Sequence, residues 1–155
     1  MPHVESAITI AAAPDAVYAV AKDVERFPEF LPDVESVKIV ERDGARVISE
    51  WVGLVREFNR TLRWTEEDHW DDAARRCSFR ATRGDWDRYE GEWTFDPDGD
   101  GAGVRLALDF EFNVPLIGPL IRRVLAKLVQ NNCDRMLAGL KQRVESGGGG
   151  GGDQQ

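Results

Sequence analysis

The chain has 155 residues, of which 42% are hydrophobic and 31% charged, a balance that suits one compact domain with a core of its own. Twenty basic residues against 28 acidic ones give a net charge of −8, which argues against nucleic acid as a partner because phosphate-rich surfaces need a cationic face. Cys77 and Cys133 are too few for a disulfide framework, so free thiols in a reducing, cytoplasmic setting are expected.

Ala7 to Ala13 is apolar, but Glu5 stands where a secretory signal carries positive charge. No run approaches the roughly 20 apolar residues of a membrane span; transient membrane contact is the most that is expected. Val4 to Ala11 alternates as a strand. Pro14-Asp15 then suits the first turn of a helix reaching Lys22, with proline where no N–H is needed and an acid favoured by the helix dipole. A second helical turn is predicted over 26–31, bounded by Pro32.

Six strands follow, at about 34–42, 45–55, 58–68, 75–82, 87–96 and 103–113. Their connections carry turn residues: Arg42-Asp43-Gly44, Asp71-Asp72, Arg83-Gly84-Asp85 and the Asp/Gly run from Asp96 to Gly103. Short turns between consecutive strands imply an antiparallel meander. In the last strand Val104, Leu106, Leu108, Phe110 and Phe112 share a face, so one side of the sheet is buried.

After Gly118-Pro119 a helix is predicted to about Glu145. Leu125, Val129, Cys133, Met136, Leu140 and Val144 form the stripe that packs on the sheet. Ile117, Ile121, Val124 and Leu128 form a second stripe, polar beyond Asn131; it reads as the lip of a cavity or as a shielded helix end or dimer contact. The fold class is therefore α+β, a curved antiparallel sheet of seven strands wrapped around a long C-terminal helix, with two short helices after the first strand. Residues 1–146 make the domain, and the glycine-rich 147–155 a flexible tail.

Ala21-Lys22-Asp23-Val24-Glu25-Arg26-Phe27-Pro28-Glu29-Phe30-Leu31-Pro32-Asp33-Val34 resembles the V-x-D-x-x-x-[FY]-P-x-F-x-P-x-V segment of START-like proteins, the superfamily (Bet v 1-like, SRPBCC) that holds polyketide cyclase/aromatases and coenzyme-Q-binding proteins. The resemblance continues through Asp87 to Trp93 and the C-terminal helix. It implies a helix-grip fold with a deep apolar cavity between sheet and helix, used in the superfamily for lipids, quinones, sterols or aromatic polyketides. A pocket of several hundred Å³ is expected on that basis.

The aromatic residues fit such a cavity and fit an ordinary core equally well. Ligand contacts are expected from Phe27, Phe30, Leu31, Trp51, Arg60, Trp64, Phe79, Tyr89, Trp93, Phe110, Phe112, Ile121, Val124 and Leu128, with Phe27, Phe30 and Leu31 closing one side of the mouth. Alternation along 58–68 puts Arg60 on the face of Phe58, Leu62, Trp64 and Glu66, where it either reaches a ligand oxygen or snorkels to solvent. Arg60, Glu66 and Tyr89 are the candidates for proton transfer. Cyclases that resemble this chain place an arginine shortly after the tryptophan of this strand, whereas here Trp64 is followed by Thr65-Glu66-Glu67-Asp68.

His3 and His69 do not combine with the cysteines into a metal pattern, and no metal or cofactor is expected. Asp96-Pro97-Asp98-Gly99-Asp100-Gly101 opens like a calcium loop but has Ala107 where the bidentate glutamate belongs, so it reads as a hairpin turn. No nucleophile elbow or phosphate loop is present. The leading expectation is a binding protein for a hydrophobic small molecule. A polyketide cyclase, aromatase or dehydratase is the enzymatic alternative, and a ribosome-association or protein-interaction role is a third.

Overall fold

A computed structural model describes residues 3–112 and 119–147, apart from the side chains at 58 and 119–122. Strand β1 (His3–Ile10) leads through α1 (Pro14–Lys22) and a 3-10 helix (Val24–Glu29) into β2 (Val34–Asp43), β3 (Arg46–Val55), β4 (Arg60–Asp71), β5 (Arg76–Gly84), β6 (Arg88–Asp98) and β7 (Gly101–Glu111). The chain then forms α2 (Pro119–Glu145). The strands lie in the order β1-β7-β6-β5-β4-β3-β2, every neighbouring pair antiparallel. Six form the expected meander. The first strand joins it beside the last, paired from His3↔Asp109 to Ile10↔Ala102.

The sequence explains most of these elements locally. Pro14 starts α1 with Asp15 in its first turn and Lys22 in its last, all favourable to the helix ends. Ala102, Val104, Leu106, Leu108 and Phe110 are buried at alternate positions of β7, and Val129, Cys133, Met136, Leu137, Leu140 and Val144 of α2 are buried with them. The core therefore lies in one layer between the sheet and α2. Tyr18 ties α1 into it, with its ring edge-on to Trp70 and Phe95 and its hydroxyl donating to Asp72 at 2.6 Å.

Two expected boundaries move. The second helical turn begins earlier, at Val24. The fourth strand runs over Arg60–Asp71 because Arg56–Phe58 coil into a 3-10 turn and Asn59 takes a left-handed conformation, φ 49°, which asparagine tolerates. That shift carries the strand three residues further, so Trp70 joins Leu62, Trp64, Glu66 and Asp68 on its inner face. The Asp96 to Gly101 segment is a β6–β7 hairpin turning at Gly99, φ 59°. Ile117 and the tail beyond Gly147 lie outside the described residues. Among the described residues no helix is long and apolar enough to cross a membrane.

Gly91 pairs with Leu108 at the centre of the β6–β7 ladder. A Cβ there would overlap the Ala107 carbonyl oxygen, a backbone atom that cannot step aside without opening the ladder. Gly91→Ala is expected to lower stability by about 1–3 kcal/mol in urea unfolding, whereas a loss under about 0.5 kcal/mol would mean that the ladder absorbs a methyl group there.

Candidate functional site

The site is built on β3 and β4, where register places Trp51 directly opposite Trp64. Their rings stack at 5.9 Å with 10° between planes. Each indole N–H is satisfied two residues along its own strand, Trp51 by Ser49 Oγ at 2.8 Å and Trp64 by Glu66 Oε1 at 3.0 Å. Tyr89 from β6 leans against Trp64 at 5.4 Å, and Trp86 against Tyr89 at 4.9 Å. This aromatic wall faces α2 across a gap.

The gap holds two chambers. The outer one, about 60 Å³, is lined by Trp51, Trp64, Trp86 and Tyr89 on the sheet side and by Leu128, Val129, Asn132, Arg135 and Met136 on the helix side. The inner one, about 30 Å³, is lined by Phe27, Trp51, Glu66, Asp68, Trp70, Cys77, Phe79, Tyr89, Trp93 and Met136, among others. Trp51, Tyr89 and Met136 border both and so divide them. These volumes correct the expected several hundred Å³: they hold a few water molecules at most. The stacked indoles and Met136 occupy the space that a larger ligand would need.

Asp33, only 3% exposed, borders the outer chamber and collects three donors. Arg56 Nη2 reaches its Oδ1 at 2.9 Å, while Arg135 Nε and Asn132 Nδ2 reach its Oδ2 at 2.6 and 3.1 Å. The polar end of the second helix stripe thus turns inward to the sheet edge.

The inner chamber contains two buried carboxyl groups, Glu66 (6% exposed) and Asp68 (2%). Strand alternation places both on the inner face, and a register shift in the β4–β5 pairing falls between Thr65 and Glu66, a local irregularity of the kind that re-aims side chains near sites. Burial pushes both carboxyls above the usual carboxylate range, Asp68 the further because Glu66 lies beside it; the hydrogen bonds from Trp64 and Asp68 pull Glu66 back toward its charged form. Of the two, Asp68 is the one that holds its proton more strongly. Burial also raises the Tyr89 phenol and the Cys77 thiol, and the neighbouring carboxyl pair raises both further. Cys133 on α2 is pushed up to about 12 by burial.

The other residues expected at the site lie as follows. Arg60 shares the inner face but sits at the exposed start of β4, its guanidinium 5.7 Å over the Phe112 ring and outside both chambers. Its long side chain reaches water from there. Phe30 does not close the mouth; it lies on the outer flank of α2 under the Arg143 guanidinium at 4.9 Å, lining a surface hollow. Leu31 is buried and borders neither chamber; it meets the backbone of α2 at Gly139, the helix position with no side chain to hold it off. Phe110 and Phe112 buttress Trp86 at 6.0 and 5.6 Å from behind the chamber. Val124 is 39% exposed, and the side chain of Ile121 lies outside the description. Phe27, Trp51, Phe79, Tyr89 and Trp93 line the inner chamber, and Trp51, Trp64, Tyr89 and Leu128 the outer one. Asp33, Asp68, Asn132, Arg135 and Met136 went unnoticed as site residues. Alternation carried to the last residue of the expected strand would have found Asp68.

Asp68 keeps its proton in the folded chain, while the unfolded chain releases it above about pH 3.9. Between that pH and its raised folded value the native state binds more protons, so this group's contribution to stability falls as pH rises. Asp68→Asn removes the effect. The difference in urea midpoint is expected to move in favour of the variant between pH 4 and pH 7; a constant difference would show that Asp68 titrates alike in both states.

Comparison with known proteins places this geometry. A protein of known structure from Thermus thermophilus superposes with a TM-score of 0.89 at 42% identity, covering 94% of this chain and 98% of that one. The Zhui aromatase/cyclase from a Streptomyces species superposes at 0.81 with 24% identity, over 94% and 97% of the two chains, which speaks for the fold. The granaticin polyketide synthase bifunctional cyclase/dehydratase of Streptomyces violaceoruber is 28% identical over 92% of this chain, which spans only 44% of that protein's length. The family model described as polyketide cyclase / dehydrase and lipid transport matches residues 1–145, and the chain belongs to that family, with the START-like helix-grip fold.

Proposed function

We propose that this protein binds an uncharged, largely aromatic small molecule between the sheet and α2, in the space now divided into two chambers. One observation carries the reading. Trp51, Trp64, Trp86 and Tyr89 form a continuous aromatic wall, and the indole Nε1 of Trp86 is buried there without a hydrogen-bond partner. A buried donor left unpaired costs about 1–3 kcal/mol, and a ligand oxygen would recover that loss. Buried free thiols at Cys77 and Cys133 suit a cytoplasmic setting.

A ligand larger than a few atoms must join the chambers, and Met136 is the dividing residue with the most freedom to move, since its unbranched thioether has three rotatable bonds. Lipids, isoprenoid quinones and aromatic polyketides are therefore ligands to be compared in one titration. An aromatic polyketide mimic or a quinone is expected to quench tryptophan emission and raise the melting temperature; a saturating ligand at 100 times Kd adds about 2.7 kcal/mol. No change with any member of the panel would remove the reading. Met136→Ala is expected to cost about 2–5 kcal/mol of stability and to speed ligand entry in stopped-flow quenching. Unchanged entry would mean that another residue is the barrier.

An enzymatic reading has its own support in Glu66 and Tyr89, which line the space where Arg60 does not. In a cyclase or dehydratase such groups exchange protons with a folded substrate. Turnover of a poly-β-keto substrate, lost in Glu66→Gln with binding retained, is the outcome expected of an enzyme.

A further inference from the structure

Among the described residues two side-chain polar atoms are buried without a partner, and both border the cavity: Trp86 Nε1 in the outer chamber and Asp68 Oδ1 in the inner one. Native interiors leave few such atoms, and those that persist call for a specific explanation. Trp86 supplies a donor near the mouth. Asp68 supplies something different, because it sits deeper and beside a second carboxyl.

The surroundings of Asp68 narrow its role. Its neighbours in the inner chamber are Trp70, Cys77, Phe79, Trp93 and Glu66, none of which brings a positive charge. Glu66 lies beside Asp68 and accepts the Trp64 N–H at 3.0 Å. Oδ1 of Asp68 is itself buried with no hydrogen-bond partner, in a chamber lined mostly by apolar side chains. A carboxylate brought to this position meets like charge with no cation to offset it, a costly arrangement in a dry interior. An ether or a hydrocarbon leaves Oδ1 as unsatisfied as before. A hydroxyl satisfies it.

We propose that Asp68, positioned by Glu66, is a polar subsite at the inner end of the cavity that accepts a hydrogen bond from an uncharged hydroxyl of an aromatic ligand and rejects a carboxylate. The subsite deepens the binding reading and rests on it. Glu66, its neighbour on the inner face of β4, acts here as a positioning residue.

Four matched probes separate the subsite from the cavity that contains it: 2-naphthol, 2-methoxynaphthalene, naphthalene and 2-naphthoate, with dissociation constants measured at pH 7 by ligand-observed NMR on the full chain. For the wild type, 2-naphthol is expected to bind about tenfold tighter than naphthalene or 2-methoxynaphthalene, and 2-naphthoate at least tenfold weaker than naphthalene. Asp68→Leu is expected to bring 2-naphthol to the affinity of naphthalene while naphthalene itself binds as well as before. Asp68→Asn keeps an acceptor oxygen and is expected to retain most of the hydroxyl preference, which a general loosening of the fold would not do. Equal binding of 2-naphthol and 2-methoxynaphthalene to the wild type overturns the subsite and leaves the cavity reading standing. A hydroxyl preference that survives in Asp68→Leu overturns it too. Binding of none of the four removes the cavity reading and the subsite together. If Asp68→Leu does not fold, the wild-type series and Asp68→Asn still decide.

Discussion

Asp33 is buried where the end of β3, the loop before β2 and the middle of α2 converge, and the cavity has its shape because those three parts meet there. A buried carboxylate without donors is far more costly than one with them, so the site holds only while Arg56, Asn132 and Arg135 all reach it. Two of those donors come from the helix and one from the sheet edge. The interaction therefore fixes the distance between α2 and the β3–β4 wall at one end. Farther along, the apolar stripe from Val129 to Val144 packs closely on the sheet. The space between these two kinds of contact, polar at one end and apolar at the other, is where the chambers lie.

Inside that frame the protein carries features that a core built for stability alone would lack. Glu66 and Asp68 cost stability because both carboxyls are removed from water without a cation. Trp86 and Asp68 each leave a polar atom unmet. By contrast the neighbouring indoles of Trp51 and Trp64 are fully satisfied by Ser49 and Glu66, so the wall is not loosely made. Strain of this sort concentrates where a protein meets a ligand, since groups arranged for a partner stay unsatisfied until it arrives. The small present volume belongs to the same account: the stacked indoles and Met136 fill the apolar space.

The relatives agree with the fold more than with the chemistry. Similarity runs along nearly the whole chain, because the meander, the helical insertion after β1 and the long last helix are all set by patterns that many sequences share. The polar residues of the cavity are set by single positions. In this chain they include the buried carboxyls of Glu66 and Asp68 and the Asp33 cluster.

The sequence by itself determined the elements and their faces. Period-2 alternation marked the strands, the 3.6 period marked α2, and turn residues marked the hairpins, since these depend on neighbours a few residues apart. The same alternation placed Trp64 and Glu66 on the inner face together. It could not say how deep a position on that face lies, and so it left Arg60 between cavity and solvent, while the resemblance put Phe30 at the mouth although it packs outside α2. Tertiary structure alone decided that Asp68 would meet Glu66 in a chamber without cations, that Asn132 and Arg135 would turn back to Asp33, and that Met136 would stand between two small spaces. Depth, charge partners and volume arise from residues distant in the chain, and local pattern carries no information about which distant residue will arrive.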